Sequence, residues 1–173
     1  GGAVQSNLRY GDGEIWSDII PTGKADMVLS VEPLEAMRYR QFLCPGGWVV
    51  TSTTPFVNIP NYPETESLLD DLAGIDNIVM VDTAHFARVA GNRRAQNMVT
   101  VGAASPMLDF EEDRMLTFVE KLFARKGEKI VTVNQRAFRY GRAAGLFFRA
   151  AAEAGMRKVI ALRLLNKFDP ETI

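Results

Sequence analysis

Residues 24–43, KADMVLSVEPLEAMRYRQFL, decide how the rest of the chain reads. Met27 to Val31 (MVLSV) is a continuous apolar run, the pattern of a strand covered on both faces. Glu32 and Pro33 then open a helix, PLEAMRYRQFL, because proline fits a first helical turn and glutamates favour its positive end. Pro45-Gly46-Gly47 is expected to end that unit, and Trp48 to Thr53 (WVVTST), mostly β-branched, supplies the next strand. A strand that feeds a helix and then a second strand is the unit of a parallel sheet.

The pattern continues towards the C-terminus. Pro55, Pro60 and Pro63 make residues 55–63 an extended loop. Glu64 to Ala73 reads as a helix stopped by Gly74, and Ile78 to Val81 (IVMV) as a third buried strand. Asp82-Thr83 caps a helix through Val89, and Gly91-Asn92 breaks the chain before a helix over Ala95–Ala104, closed by Pro106. Phe110 to Lys126 carries acids in its first turn, apolar residues at helical spacing, and Arg125 and Lys126 before Gly127. A long helix is expected from Asn134, as N-cap, to Ala154 before Gly155, with a further helical element over Met156–Phe168. Towards the N-terminus, Ala3 to Tyr10 suits a strand, Gly11-Asp12-Gly13 a turn, and Ile15 to Ile20 a second short extended piece stopped by Pro21. Apolar strands alternating with helices give an α/β fold: a layered, mostly parallel sheet with helices on both faces, as one domain over residues 1–173.

Bulk properties narrow the function. The net charge of −1 supplies no global field for nucleic acid or an anionic membrane, and neither partner is expected. No apolar run approaches the ~20 residues of a membrane span. One cysteine, Cys44, excludes an internal disulfide and a cysteine-ligated cluster held by this chain, and one histidine, His85, argues against a self-contained zinc site. Such sparing use of cysteine fits a reducing compartment, so a cytoplasmic location is expected.

In a parallel sheet, ligands lie beyond the carboxyl ends of the strands, which directs attention to residues 30–35, 51–56 and 82–85. His85 stands where a general base would, but no nucleophile pattern accompanies it and a packing or capping role is favoured. Cys44 reads as a partly buried small apolar residue, Glu32 and Glu35 as helix-start acids, and Ser52, Thr53 and Thr54 as ordinary strand-end hydroxyls. No Walker loop, GxGxxG turn or nucleophile elbow is present. The arginines are more informative. Arg88, Arg93 and Arg94 bracket Gly91-Asn92, and Arg136, Arg139 and Arg142 recur on one broad helix face. Two local cationic groups in a nearly neutral chain mark either a phosphate-bearing ligand or acidic partner surface, or else a solvated face with intrachain ion pairs. Asn92 and Asn97 are expected to cap and orient the loop of the first group.

GGAVQSNLRYG, IIPTGKADMVLSVEPLEAMR, GNRRAQNMVTVGA and NQRAFRYG, in this order, resemble the gamma-type domain of the 2-oxoacid:acceptor oxidoreductases, most closely in its indolepyruvate branch. The resemblance runs from Gly1 to about Gly145. That family carries a strand, a glycine-rich loop and a helix ahead of the glycine pair, so the chain is expected to be N-terminally incomplete. The resemblance implies a subunit of an enzyme that oxidatively decarboxylates a 2-oxoacid to an acyl-CoA and passes electrons to ferredoxin. It implies no cofactor bound by this chain alone. Thiamine diphosphate and iron–sulfur clusters are expected in a large alpha-type partner subunit, with coenzyme A as co-substrate. For a CoA phosphate the residues to watch are Asn92, Arg93, Arg94 and Asn97, chosen from their own chemistry. Pyruvate, 2-oxoglutarate or branched-chain 2-oxoacid specificity is the alternative within the family, and a free-standing nucleotide-binding module the alternative outside it. A subunit would also expose a large apolar surface, with Trp16, Trp48 or Phe147 as the residues to expect in it.

Overall fold

A computed structural model describes residues 4–170. Three parallel strands, β1 (Ala25–Ser30), β2 (Leu43–Ser52) and β3 (Ile78–Val81), form one sheet in the order β1-β2-β3. The register sets Val28 beside Val49 and Val49 beside Ile78, and ends with Ser30 beside Thr51 and Ser52 beside Val81.

The first two crossovers carry helices α1 (Pro33–Tyr39) and α2 (Thr65–Ala73), which pack against each other. Right-handed crossovers stepping in one direction across a sheet put both helices on the same face. The remaining helices are α3 (Thr83–Val89), α4 (Gln96–Ala104), α5 (Glu112–Phe123), α6 (Glu128–Glu153) and α7 (Lys158–Leu165). On the other face α4 spans all three strands, α6 lies against α4 and β3, and α7 contacts α2, α6 and β3. Helices therefore lie on both faces of the sheet, and β3 and the last four residues of β2 are fully buried. The main core joins Val49, Val50, Val79, Met80 and Val81 to Phe86, Val99, Ala103, Phe148 and Leu165.

The α4–α6 contact is unusually close. A Cβ placed on Gly102 would lie 2.0 Å from the Phe138 carbonyl oxygen, one on Gly141 2.0 Å from that of Val99, and one on Gly145 2.3 Å from that of Ala103. Backbone meets backbone here, so only glycine is tolerated at these points.

Several expectations need correction. Residues 4–10 and 15–20 form no strand, although glycine and proline punctuate them as expected; Ala3 lies outside the described residues. An extended segment needs a ladder partner to become a strand, and residues 4–7 run beside β1, lining a cleft with Met27–Ser30, without pairing. β1 is not the fully buried strand expected: it lies at the edge of the sheet, and Leu29 is 46% exposed. Pro45-Gly46-Gly47 does not end a unit. It is an outward bulge inside β2: Ala25 pairs Leu43 and Met27 already pairs Trp48, with Gly46 at φ +81° turning the inserted residues away. Asn134 is not an N-cap. Gly127 (φ +94°) turns the chain into α6 at Glu128, and Asn134 lies buried in that helix with Nδ2 donating to the Ile130 carbonyl at 2.8 Å.

Candidate functional site

The loops beyond the strand ends converge as expected, and each is fixed by local chemistry. After β1, Ser30 Oγ donates to the Glu32 carbonyl at 2.7 Å, and Glu32 caps α1 by accepting from the Glu35 amide at 2.8 Å. The other oxygen of Glu32 accepts from the Phe56 amide at 3.4 Å and from the Tyr62 hydroxyl. One carboxylate thus starts a helix and holds both ends of the proline-rich loop. Burial raises the Tyr62 phenol well above its ordinary range, and the hydrogen bond to Glu32 and its charge add to the rise. Glu35 pairs with Arg38 at 2.5 Å, so the two glutamates serve the helix start and are not a facing acid pair.

After β3, Asp82 caps α3 by accepting from the His85 amide at 2.9 Å and also receives the Thr54 hydroxyl at 3.2 Å. His85 Nδ1 faces Arg88 Nη2 at 3.1 Å. A guanidinium only donates, so Nδ1 is the acceptor and any ring proton sits on Nε2. Beneath them lies a buried hydroxyl pair: Ser52 Oγ and Thr83 Oγ1 are 2.7 Å apart, and both residues are fully shielded from solvent. Thr83 Oγ1 in turn donates to Gln96 Oε1 at 3.2 Å.

The arginine loop follows α3. Gly91 takes φ +106° and reverses the chain over Val133 of α6. The Asn92 amide donates to the Ala87 carbonyl at 3.0 Å, Asn92 Oδ1 accepts from the Arg94 amide at 2.9 Å, and Gln96 Nε2 donates to the Arg93 carbonyl at 3.2 Å. The backbone is pinned at each residue, whereas the Arg93 and Arg94 side chains are exposed and no carboxylate among the described residues pairs with them. Asn97 is exposed on α4 and takes no part in the capping. On α6, Arg142 turns inward to Glu112 at 2.8 Å and Ser105 at 2.9 Å, while Arg136 and Arg139 stay exposed. The second arginine group is therefore divided, with one member committed to packing.

Sequence reasoning passed over Tyr62 and Gln96, and saw Thr83 only as part of a helix cap. Tyr62 is an aromatic among prolines, and Gln96 stands three residues after Arg93 at the start of α4. Neither position carried a residue type that announces its partner. Cys44 is half-buried on β2 with Sγ 3.6 Å from Asp26 Oδ1, in keeping with a packing role. Among the described residues no group of three or more His, Cys, Asp or Glu side chains is arranged to hold a metal ion, and no helix is long and apolar enough to cross a membrane. An iron–sulfur cluster does not fit a chain with one cysteine. A phosphate group does fit the pinned loop with its two unpaired guanidinium groups.

Comparison with known proteins agrees with the motif order. The family model described as pyruvate ferredoxin/flavodoxin oxidoreductase matches residues 1–144. Indolepyruvate oxidoreductase subunit IorB of Thermococcus kodakarensis is 31% identical over 152 residues, which is 81% of this chain and 72% of the relative. The protein of the same name from Methanothermobacter thermautotrophicus is 33% identical over 165 residues, 89% of this chain and 78% of the relative. That from Pyrococcus horikoshii is 31% identical over 150 residues, again 81% and 72%. No solved structure matches the chain. With its α/β sheet, the order of its motifs in sequence and this match over most of its length, the chain belongs to the pyruvate ferredoxin/flavodoxin oxidoreductase family.

Proposed function

We propose that the chain is the cluster-free subunit of an indolepyruvate oxidoreductase, assembled on a large partner that carries thiamine diphosphate and iron–sulfur clusters and passes electrons to ferredoxin. In this reading the chain contributes the Asn92–Arg94 loop to a phosphate of coenzyme A. The observation that carries the subunit reading is the exposed apolar N-terminal segment, where Val4 is 92%, Leu8 78% and Trp16 85% exposed. Several exposed large apolar side chains in one segment fit an interface with another chain. Trp48 and Phe147, the other aromatics expected there, instead pack against the core. The names of the relatives support indolepyruvate as substrate.

Two exposed guanidinium groups with no carboxylate partner among the described residues, on a fixed backbone, support the CoA role. The fixed backbone keeps both guanidinium groups on one loop, where charge-assisted bonds to a phosphate offset the side-chain freedom lost on binding. When bound, CoA supplies the thiol that accepts the acyl group; this chain's residues would only hold and orient its phosphate.

The experiment is co-expression with the thiamine-dependent partner, followed by indolepyruvate- and CoA-dependent reduction of a viologen dye. Activity in the assembled pair and in neither chain alone is expected. Replacing Arg93 and Arg94 together by Ala is expected to raise KM for CoA about tenfold or more, from the loss of charge-assisted hydrogen bonds. Turnover of pyruvate, 2-oxoglutarate or a branched-chain 2-oxoacid in its place would reassign the substrate. Failure to associate, with no activity on any 2-oxoacid, would overturn the subunit reading in favour of a free-standing nucleotide-binding module.

A further inference from the structure

We infer that Thr83 and Gln96 are positioning residues for the arginine loop, joined to the sheet by a one-way hydrogen-bond relay that runs from β2 to the Arg93 carbonyl. This inference rests on the CoA reading of that loop.

The direction of the relay follows from which groups are able to donate. The Arg93 carbonyl only accepts, so the Gln96 atom facing it at 3.2 Å must be the NH2 group, which leaves Oε1 for Thr83. Oε1 only accepts, so Thr83 Oγ1 spends its proton there. The 2.7 Å contact with Ser52 must then be made by the Ser52 proton. Ser52 Oγ in turn accepts from the Thr54 amide at 3.1 Å. Each hydroxyl accepts once and donates once, and no alternative set of proton positions satisfies every contact. A relay with one permitted direction is orientationally rigid, and its links polarise one another.

Its placement gives it a consequence for the site. Ser52 ends β2, the strand buried at the centre of the sheet, and Thr83 opens α3 beside it. Neither is exposed, so water cannot replace a lost hydroxyl without opening the packing. Gln96 begins α4 and reaches back to Arg93, one of the two exposed arginines of the loop. The arginine loop is held from the α3 side by Asn92 and from the sheet side by Gln96.

The test uses the assembled complex of this chain and its thiamine-dependent partner. Thr83→Val removes the hydroxyl at constant shape, Thr83→Ser retains it, and Gln96→Met cuts the relay one link later. Two readouts are taken: Kd for CoA by equilibrium titration without 2-oxoacid, and KM and kcat for CoA and for the 2-oxoacid during turnover. Thr83→Val and Gln96→Met are each expected to weaken CoA binding and raise its KM by roughly five- to tenfold. The 2-oxoacid KM should stay within twofold, and Thr83→Ser should restore CoA affinity. Unchanged CoA affinity in Gln96→Met, or equal loss of every parameter in both variants, would overturn the inference. Replacing Arg93 and Arg94 by Ala in the same titration separates the two levels. An effect of the arginines without one of Gln96 refutes the relay alone, whereas no effect of the arginines refutes the CoA reading beneath it.

Discussion

Replacing Gly141 by Ala tests the packing on which the molecule depends. The new methyl carbon would sit 2.0 Å from the Val99 carbonyl oxygen, 2.8 Å from its carbon and 2.9 Å from Val99 Cα. A carbon–oxygen contact needs about 3.3 Å, so α4 and α6 would have to part by about 1.3 Å. The obstacle is backbone, and no side-chain rotation relieves it. A gap approaching 1 Å already forfeits a quarter to a half of each dispersion contact across an interface. Overpacking of this kind costs about 1–3 kcal/mol at ordinary core sites, and more is expected where two helix backbones must separate. Against that stands the gain of about 1 kcal/mol from replacing glycine with alanine inside a helix. The net expectation is a loss of about 3 kcal/mol, which for a chain of this length lowers Tm by roughly 6–12 °C. Thermal unfolding followed by far-UV circular dichroism reads the change, with Gly11→Ala as control because nothing lies within 4 Å of a Cβ there. Gly102→Ala should behave in the same way, and the pair should cost less than the sum, since the first substitution already parts the helices. A Tm for Gly141→Ala within about 2 °C of the parent would refute the reasoning.

Two further predictions concern the loops at the strand ends. Asp82 holds both the first turn of α3 and the Thr54 hydroxyl, so Asp82→Ala should cost about 2 kcal/mol in urea unfolding, while Asp82→Asn, which keeps a capping oxygen, should cost much less. Equal losses in the two variants would mean that the cap contributes little. Tyr62→Phe removes the hydroxyl bound to Glu32 and should cost about 1.5 kcal/mol at neutral pH. The Tyr62 pKa is raised on folding, so the stability it contributes is complete below the unfolded value of about 10 and is lost as pH rises beyond it. The alkaline fall in stability should therefore be shallower in Tyr62→Phe, and identical slopes above pH 10 in the two proteins would count against the assignment.

What the sequence revealed followed the range of the forces involved. β3, α2 and α3 are bounded where their caps predict, because Glu64, Asp82 and Gly74 act on residues only a few positions away. Residues 4–10 form no strand because Val4 and Leu8 among polar residues describe at most a segment able to pair, and pairing depends on a neighbour that local sequence does not specify. Asn134 misled for the opposite reason. Its amide serves a cap or an i−4 carbonyl equally well, and packing of the α6 face against α4 carries the helix straight through it. Helical spacing put Arg136, Arg139 and Arg142 on one broad face, but Arg142 turns inward to Glu112 on a different helix, which divides the group. The Thr83–Gln96 contact was invisible because neither residue is unusual at its position; only the fold brings the hydroxyl and the amide together.

The close helix pair and the arginine loop are parts of one arrangement. α4 starts at Gln96, whose side chain fixes Arg93, and within its next two turns it meets α6 at Val99, Gly102 and Ala103. The glycine contacts therefore set where the first turn of α4 stands relative to α6, while Ser52 and Thr83 set it relative to the sheet. Parting the helices by about 1.3 Å at Gly141 is comparable with the error that costs a binding site its hydrogen-bond geometry. Gly141→Ala should then weaken CoA affinity in the assembled complex even at temperatures where the variant remains folded. Arg142→Met, which removes the α6–α5 ion pair and the bond to Ser105 at the far end of α4 but spares the glycine contacts, should lower stability without that loss. If both substitutions weakened CoA binding in proportion to their effect on Tm, the loop would be responding to stability in general. If Gly141→Ala alone did so, the backbone contact between α4 and α6 would be the element that places the arginines.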